Sequence, residues 1–163
     1  ATQMFYAETQ NKILYAITGK TAAEIVVSRA NPNLPNMALT SWKGKVVRKQ
    51  DIYIAKNYLT EDEIDNLNRF VTVFLETAEL RAKNRQDITM AFWKENIDKI
   101  ILLNDKTILQ GKGKISNEQM EKKVDALFAS FDAKRKIAEA QKADEQDLEE
   151  LKALENKIKA KKK

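Results

Sequence analysis

The strongest constraint on the fold is a run of apolar residues at helical spacing in the middle of the chain. These residues recur at intervals of three and four: Ile64, Leu67, Val71, Phe74 and Ala78. This spacing places them on one face of an α-helix. Thr60 and Glu63 form the Thr-x-x-Glu pattern of a capping box, so we predict a helix from there to about Lys83. Further apolar residues predict that it is buried on more than one side: Phe70, Val73 and Leu75.

Helical patterns recur along most of the chain. A first helix is predicted from Met4 to Ile17, ending before Gly19. Further helix starts are indicated by capping residues: Thr21 with Glu24, Thr89, and Ser116 with Gln119. Four Gly and two Pro in 163 residues are too few for the turns of an all-β protein. The sequence therefore predicts an all-α fold, a compact bundle of five or six helices with a long charged C-terminal helix.

The stretch between the second and third predicted helices is the least regular. A proline disfavours the α conformation in the residue before it, and Pro32 and Pro35 lie close together here. We therefore predict an irregular segment over residues 31–50, and loops of this length in compact domains are often functional. Residues 52–58 combine a strand-like alternation with helical surroundings, and a short helix is the preferred interpretation.

The composition changes after Phe131. Residues 132–163 are highly charged and contain five large apolar residues: Ile137, Leu148, Leu151, Leu154 and Ile158. The last four form a short candidate interaction stripe, which does not share one heptad register with Met120 and Val124. We predict a helical core domain at residues 1–131 and a charged helical tail at 132–163, frayed at its KIKAKKK end.

The absence of His and Cys limits the chemistry of this chain. It excludes Ser-His-Asp triads, Cys nucleophiles, disulfides, and zinc sites built from thiolates or imidazoles. We therefore predict no metal and no cofactor, and the composition disfavours an enzyme. No apolar run approaches the ~20 residues of a membrane span, and the start shows no signal-peptide pattern. The expected location is cytoplasmic, without contact with a membrane.

Polar residues beside the apolar faces form the main candidate site. A polar group close to a core is costly unless it is paired or used for binding. The candidates for contact with a partner or ligand are Asn11, Lys12, Glu24, Arg29, Lys56, Asn57, Tyr58, Asn68 and Arg69. Two interpretations remain open. These residues either pair with one another, for which Glu24 with Arg29 or Arg69 is the natural ion pair, or they bind another molecule.

A basic cluster lies in the irregular segment and consists of Trp42, Lys43, Lys45, Arg48 and Lys49. An aromatic ring among cations can stack on a base or lie against phosphates, so this cluster is the best nucleic-acid candidate. In the alternative interpretation, Trp42 anchors the loop in the core. The net charge of +5 permits contact with nucleic acid without implying it.

Several short strings carry a resemblance to a known family: Gln10-Asn11-Lys12, TGKTAAE at 18–24, SRA at 28–30, PNMALTSWKG at 35–44, IAKNYL at 54–59, LNR at 67–69 and ITMAFW at 88–93. In order and spacing, the chain resembles the C-terminal domain of the RhuM virulence-protein family over about residues 5–131. The resemblance implies a bacterial protein with an N-terminal winged-helix-like region that is expected to bind DNA. This chain begins at Ala1 without that region, so we expect an upstream part to be absent. Some relatives are labelled Fic-type toxins, but their His-centred chemistry is excluded here.

Together these observations predict a non-catalytic interaction or regulatory domain of a DNA-associated bacterial protein of virulence type. It would bind a protein partner, a second copy of itself or a small ligand through the main candidate site. One alternative is nucleic-acid binding, through the basic cluster or the absent N-terminal domain. The other is a toxin-like enzyme that uses Glu24 or Lys12 as acid or base.

Overall fold

The computed structural model describes residues 2–161, and its regular structure is helical. Five α-helices occur in this range: α1 (Thr2–Thr18), α2 (Ala22–Arg29), α3 (Glu61–Lys83), α4 (Met90–Leu103) and α5 (Asn117–Lys161). Three short 3-10 helices lie between α2 and α3: Pro35–Ala38, Lys49–Tyr53 and Ala55–Tyr58. Residues 2–161 contain no strand, so the predicted all-α fold with a long C-terminal helix is confirmed. Lys162 and Lys163, the end of the predicted frayed segment, lie outside the described residues.

The predicted capping boxes form at the starts of α2, α3 and α5. In the first, the Thr21 hydroxyl accepts from the Glu24 amide, and the Glu24 carboxylate accepts from the Thr21 amide at 2.9 Å. Thr60 and Glu63 exchange the same pair of bonds, and so do Ser116 and Gln119. Each box engages amides near a helix start that the helix itself leaves without partners.

The apolar core has two parts. The first packs α2, the 3-10 helices and the start of α5 together, and its largest fully buried members are Leu14, Ile25, Val26, Met37, Ile52, Tyr58, Leu59 and Val124. The second joins α1, α3 and α4 and consists of Ile13, Ala16, Phe70, Phe74, Ile97, Ile100 and Ile101. Consecutive residues of α1, Ile13 and Leu14, belong to different parts, and Leu67 of α3 packs against both, so these two helices connect the parts of the core.

The helix α3 is less buried than its apolar pattern predicts. Phe70 and Phe74 are buried, whereas Val71 and Leu75 are 41% and 61% exposed and Val73 is 43% exposed. The predicted burial on more than one side is therefore wrong for the single chain. The reason is that α1 and α4 cover the side of α3 that carries Phe70 and Phe74, and only the beginning of α3, at Ile64 and Leu67, also packs against the first part of the core.

The irregular segment contains a left-handed turn. Asn36, Met37 and Ala38 have φ values of 53°, 57° and 65°, a conformation that costs about 1–2 kcal/mol for each residue with a side chain. The Met37 side chain is fully buried in the first part of the core, and its carbonyl accepts a hydrogen bond from the Asn31 amide. Burial and hydrogen bonding thus hold this strained turn. The short helix predicted at residues 52–58 is present as 3-10 turns.

The helix α5 continues beyond the core. Met120 and Val124 are buried, and Leu127, Phe128 and Phe131 are partly buried against the first part of the core. Every residue from Lys136 to Lys161 is exposed. At 1.5 Å per residue this exposed end is about 39 Å long. The division into a domain at residues 1–131 and a tail at 132–163 stays a prediction.

Candidate functional site

The start of α2 brings two of the predicted site residues together. The Asn11 side chain, from α1, accepts a hydrogen bond from the Ala22 amide at 2.9 Å. The Glu24 carboxylate closes the capping box and also accepts from the Lys114 amide at 2.6 Å. Burial alone would raise the pKa of Glu24, but the hydrogen bonds from the Lys114 and Thr21 amides outweigh it and lower the pKa. Both side chains therefore hold backbone segments in place.

Gly113 allows a distant turn to approach the same point. Its φ is +85°, and an added Cβ would stand 2.5 Å from Thr21 Cγ2 and 3.0 Å from Glu24 Oε1. No side chain fits at such distances, and the left-handed conformation already favours glycine. The turn at residues 111–114 is thus in direct contact with the start of α2.

Two hollows flank this turn. One, with a volume of about 830 Å³, is bordered by Asn11 and Lys12 and by the apolar Met4 and Ala23. The other, of about 730 Å³, is bordered by Glu24 and Lys20. Three of the predicted site residues, Asn11, Lys12 and Glu24, therefore border open spaces as well as holding the chain together.

A second group of predicted site residues joins α2 to the start of α3. Arg29 forms two hydrogen bonds to the Glu63 carboxylate, at 2.6 and 2.7 Å, and a third to the Tyr58 carbonyl at 2.8 Å. The guanidinium lowers the pKa of Glu63 to about 2 and outweighs the effect of burial, while the Glu63 carboxylate raises the pKa of Arg29. The Tyr58 hydroxyl donates to the Ile52 carbonyl, and burial raises its pKa.

The expected ion pair of Glu24 with Arg29 or Arg69 is wrong. Arg29 pairs with Glu63, and Arg69 pairs with Asp65 one turn earlier in α3 at 2.7 Å. Glu24 faces backbone amides instead of either guanidinium. Lys12 of α1, another of the candidate site residues, pairs with Asp98 of α4 at 2.7 Å.

Asn57 organises the irregular segment. Its carbonyl accepts from the Thr40 amide at 2.7 Å, and its side-chain amide donates to the Asp51 carbonyl at 3.0 Å. In contrast, Lys56, Asn68 and Arg69 are exposed. The predicted set is thus divided between internal cross-links and exposed positions, and its role in contacting a partner stays a prediction.

The basic cluster is exposed except for its aromatic member. Lys43, Lys45, Arg48 and Lys49 are exposed, whereas Trp42 is partly buried and packs against the first part of the core. Lys49 lies 3.7 Å from Asp125 of α5. The hydroxyl of Tyr53 donates to the same carboxylate, and burial followed by this bond raises the Tyr53 pKa to about 12. Nucleic-acid binding by this cluster stays a prediction.

Several contact residues of the site were missed at the level of sequence: Glu63, Asp98, Gly113 and Lys114. The box at residues 60–63 marked Glu63 only as a capping residue, and the GKGK string at 111–114 marked only a basic turn. Among residues 2–161, no group of acidic side chains could hold a metal ion. None of the helices described in that range has the length and apolar character to cross a membrane.

The comparisons with known proteins point to one family description. The model of the virulence protein RhuM family matches residues 1–139. The matched range therefore contains both parts of the core and the packed beginning of α5. No curated protein and no solved structure matches the chain.

Proposed function

Because this chain belongs to the virulence protein RhuM family, we propose that it is a non-catalytic interaction domain of a virulence-type protein. It binds a protein partner or a second copy of itself. The family description names virulence and no activity, so the proposal depends on the surface of this chain. Association with DNA through an N-terminal domain, and a cytoplasmic location, are parts of the same proposal.

The observation that carries the proposal is the uncovered apolar face of α3. Val71 and Leu75 lie one helical turn apart and stay 41% and 61% exposed beside the buried Phe70 and Phe74. Apolar side chains that neighbour one another and stay uncovered are candidates for contact with another molecule. We call the surface formed by Val71 and Leu75, with Asn68 at its edge, the α3 face.

Polar residues border the α3 face. Asn68 lies one turn before Val71 on the same side of the helix, and both are exposed. Arg69 and Asp65 form an exposed ion pair close by. Protein interfaces commonly have this arrangement, with an apolar centre and a polar rim. Two of the residues singled out from the sequence, Asn68 and Arg69, therefore occupy rim positions in this proposal.

Site-specific photo-crosslinking tests the proposal. A photoreactive amino acid replaces Leu75 in one version of the full chain. In the matched control it replaces Asn66, which is exposed on the opposite side of α3. We expect a covalent adduct in bacterial cells from position 75 and none from position 66. The mass of the adduct distinguishes a second copy from another protein. Equal labelling from both positions, or none from either, contradicts the proposal.

Nucleic-acid binding is a second candidate, favoured by the exposure of Lys43, Lys45 and Arg48. Each phosphate contact contributes about 0.9 to the slope of log affinity against log salt. Replacing all three cations by Gln should therefore lower that slope by up to about 3 in fluorescence anisotropy with duplex DNA. The matched control replaces Lys142, Lys152 and Lys159 in α5, which are equally exposed. Affinity that is absent at low salt, or insensitive to the loop substitutions, excludes this candidate.

A further inference from the structure

The exposed end of α5, residues 136–161, carries an apolar stripe without a partner in the described chain. Leu148, Leu151, Leu154 and Ile158 are each between 55% and 65% exposed. Their spacings of three, three and four residues place them on one side of the helix. Helices in water depend mainly on packing of an apolar face for their stability. The stripe is therefore open to a partner, and the charges beside it indicate the chemistry of that partner.

Three of the four stripe residues fit one heptad register, in which Leu148 takes an e position. Leu151 and Ile158 occupy a positions and Leu154 the d position between them, so Glu150 and Lys157 both occupy g positions. Glu155 occupies the e position of the same heptad. In paired helices, the residues at e and g lie beside the apolar seam and determine the relative direction of the helices.

These charges oppose parallel pairing of two copies and favour antiparallel pairing. In a parallel pair, each g residue lies beside the following e residue of the other helix, which places Glu150 next to Glu155. In an antiparallel pair, g residues lie beside g residues, which places Glu150 next to Lys157 of the second copy. Symmetry forms this opposite-charge pair twice.

The distribution of charge along the rest of this segment also favours antiparallel pairing. Residues 144–150 contain five acidic residues and no basic one, whereas basic residues dominate 157–161. Suppose that a two-fold axis perpendicular to the helices passes between residues 152 and 153. Leu151 of one copy then lies level with Leu154 of the other. The same operation places Asp144 level with Lys161. A parallel pair would instead align the acidic segment with itself.

We propose that residues 136–161 bind the same segment of a second copy of this chain as an antiparallel helix pair. This inference deepens the proposed interaction function by naming the partner. It uses a surface separate from the α3 face, so either proposal can fail without the other.

Sedimentation equilibrium tests the association. The mass of the full chain should rise with concentration from 18.7 kDa toward twice that value. Leu151→Glu should keep the chain monomeric at every concentration. Ala153→Glu adds the same charge on the opposite side of the helix and should leave the dimer intact. A chain that is monomeric at all concentrations, or a dimer that persists with Leu151→Glu, overturns the proposal.

A charge exchange tests the direction of pairing. Glu150→Lys should weaken the antiparallel dimer because it places two lysines together, and adding Lys157→Glu should restore it. In a parallel dimer, Glu150→Lys would face Glu155 and strengthen association. Strengthening by the single substitution, or no recovery in the double variant, therefore contradicts the antiparallel arrangement.

Disulfide trapping gives an independent test, since the chain has no cysteine of its own. In the antiparallel pair the two copies of position 144 are about 25 Å apart along the helix. Bridged Cα atoms lie within about 7 Å. A mixture of Asp144→Cys and Lys161→Cys chains should form mixed disulfide dimers, and the Asp144→Cys chain alone should not. Rapid self-linking of the Asp144→Cys chain would establish a parallel pair and overturn the proposal. Adducts at position 75 would then still support the α3 face.

Discussion

The region around α2 and the segment of α3 and α4 use their side chains in opposite ways. Around α2, polar side chains connect elements that are far apart in sequence, as Asn11 and Glu24 do through backbone amides and Arg29 does through Glu63. Along α3 and α4, large apolar side chains stay open to solvent, among them Leu75 at 61% and Leu103 at 82%.

The difference separates the parts that hold the fold from the parts that are free to bind. A side chain whose polar atoms are bonded within the chain contacts a partner only after those bonds are exchanged. An exposed leucine loses no internal contact when another molecule covers it, and its burial is favourable. We therefore expect substitutions around α2 to affect stability and substitutions on α3 and α5 to affect association.

The largest effect is expected from Gly113→Ala in the α2 region. The new Cβ would overlap Thr21 at 2.5 Å, in addition to the cost of φ at +85°. We expect the free energy of unfolding, measured in urea, to fall by about 3 kcal/mol. Gly111→Ala is the matched control, because its φ is +76° but no atom lies within 4 Å of the added Cβ. It should cost about 1 kcal/mol. If the free energy of unfolding falls equally in the two variants, the close contact at Gly113 does not contribute to the cost of Gly113→Ala.

The second largest effect is expected from Glu63, which makes the free energy of unfolding depend on pH. Its pKa is about 2 in the folded chain, against an ordinary value of 4.5. The stabilisation is complete above pH 4.5 and is lost as the pH falls toward 2, because the unfolded chain takes up the proton first. We expect Glu63→Gln to remove about 2 kcal/mol at pH 7 and to flatten the stability profile between pH 4.5 and 2.

The exposed pair of Asp65 and Arg69 is the control for Glu63. It belongs to the same helix but lies in solvent, where screening by water leaves ion pairs with little net effect on stability. Asp65→Asn should therefore lower the free energy of unfolding at pH 7 far less than Glu63→Gln does. An equally large effect from Asp65→Asn would remove the distinction between the two regions.

A smaller effect on stability is expected from Leu75→Glu on the α3 face. The side chain is 61% exposed, and Leu and Glu have similar helix propensities. We expect the free energy of unfolding to change by less than about 0.5 kcal/mol. A photoreactive residue at position 71 should nevertheless lose its adduct in this variant. A large loss of stability would show that Leu75 belongs to the core.

The smallest effect on stability is expected from ending the chain after Arg135. The residues removed within the described range, 136–161, are all exposed, so the melting temperature of the remainder should shift by less than about 2 °C. Circular dichroism should lose the helix signal of the removed segment. This result would support the predicted division near residue 131, whereas a large decrease in melting temperature would show that the exposed end stabilises the core.

Local features of the fold could be predicted from the sequence because they depend on neighbouring residues. A hydroxyl and a carboxylate three residues apart determine a helix start, as Thr21 with Glu24 and Thr60 with Glu63 show. The prolines likewise marked the irregular segment. The partner of Arg29 and the role of Gly113 depend on contacts across 34 and about 90 residues, and no local pattern encodes such contacts.

The prediction for α3 failed for a different physical reason. Apolar periodicity identifies faces that favour burial, but it does not identify what covers them. In the single chain, Phe70 and Phe74 are covered while Val71 and Leu75 are not. The left-handed turn at residues 36–38 was also missed, because two of its three residues, Met37 and Ala38, rarely adopt that conformation.

The hydrogen bond between Glu24 and Lys114 also has a consequence for the order of events during synthesis. It joins residues 90 positions apart. At 5–20 residues per second, a ribosome needs roughly 5 to 20 seconds to travel between them. The contact that holds the start of α2 therefore forms only after residue 114 has been synthesised. Throughout that interval the Glu24 carboxylate lacks this donor, and α3 and α4 are synthesised before the hydrogen bond can form.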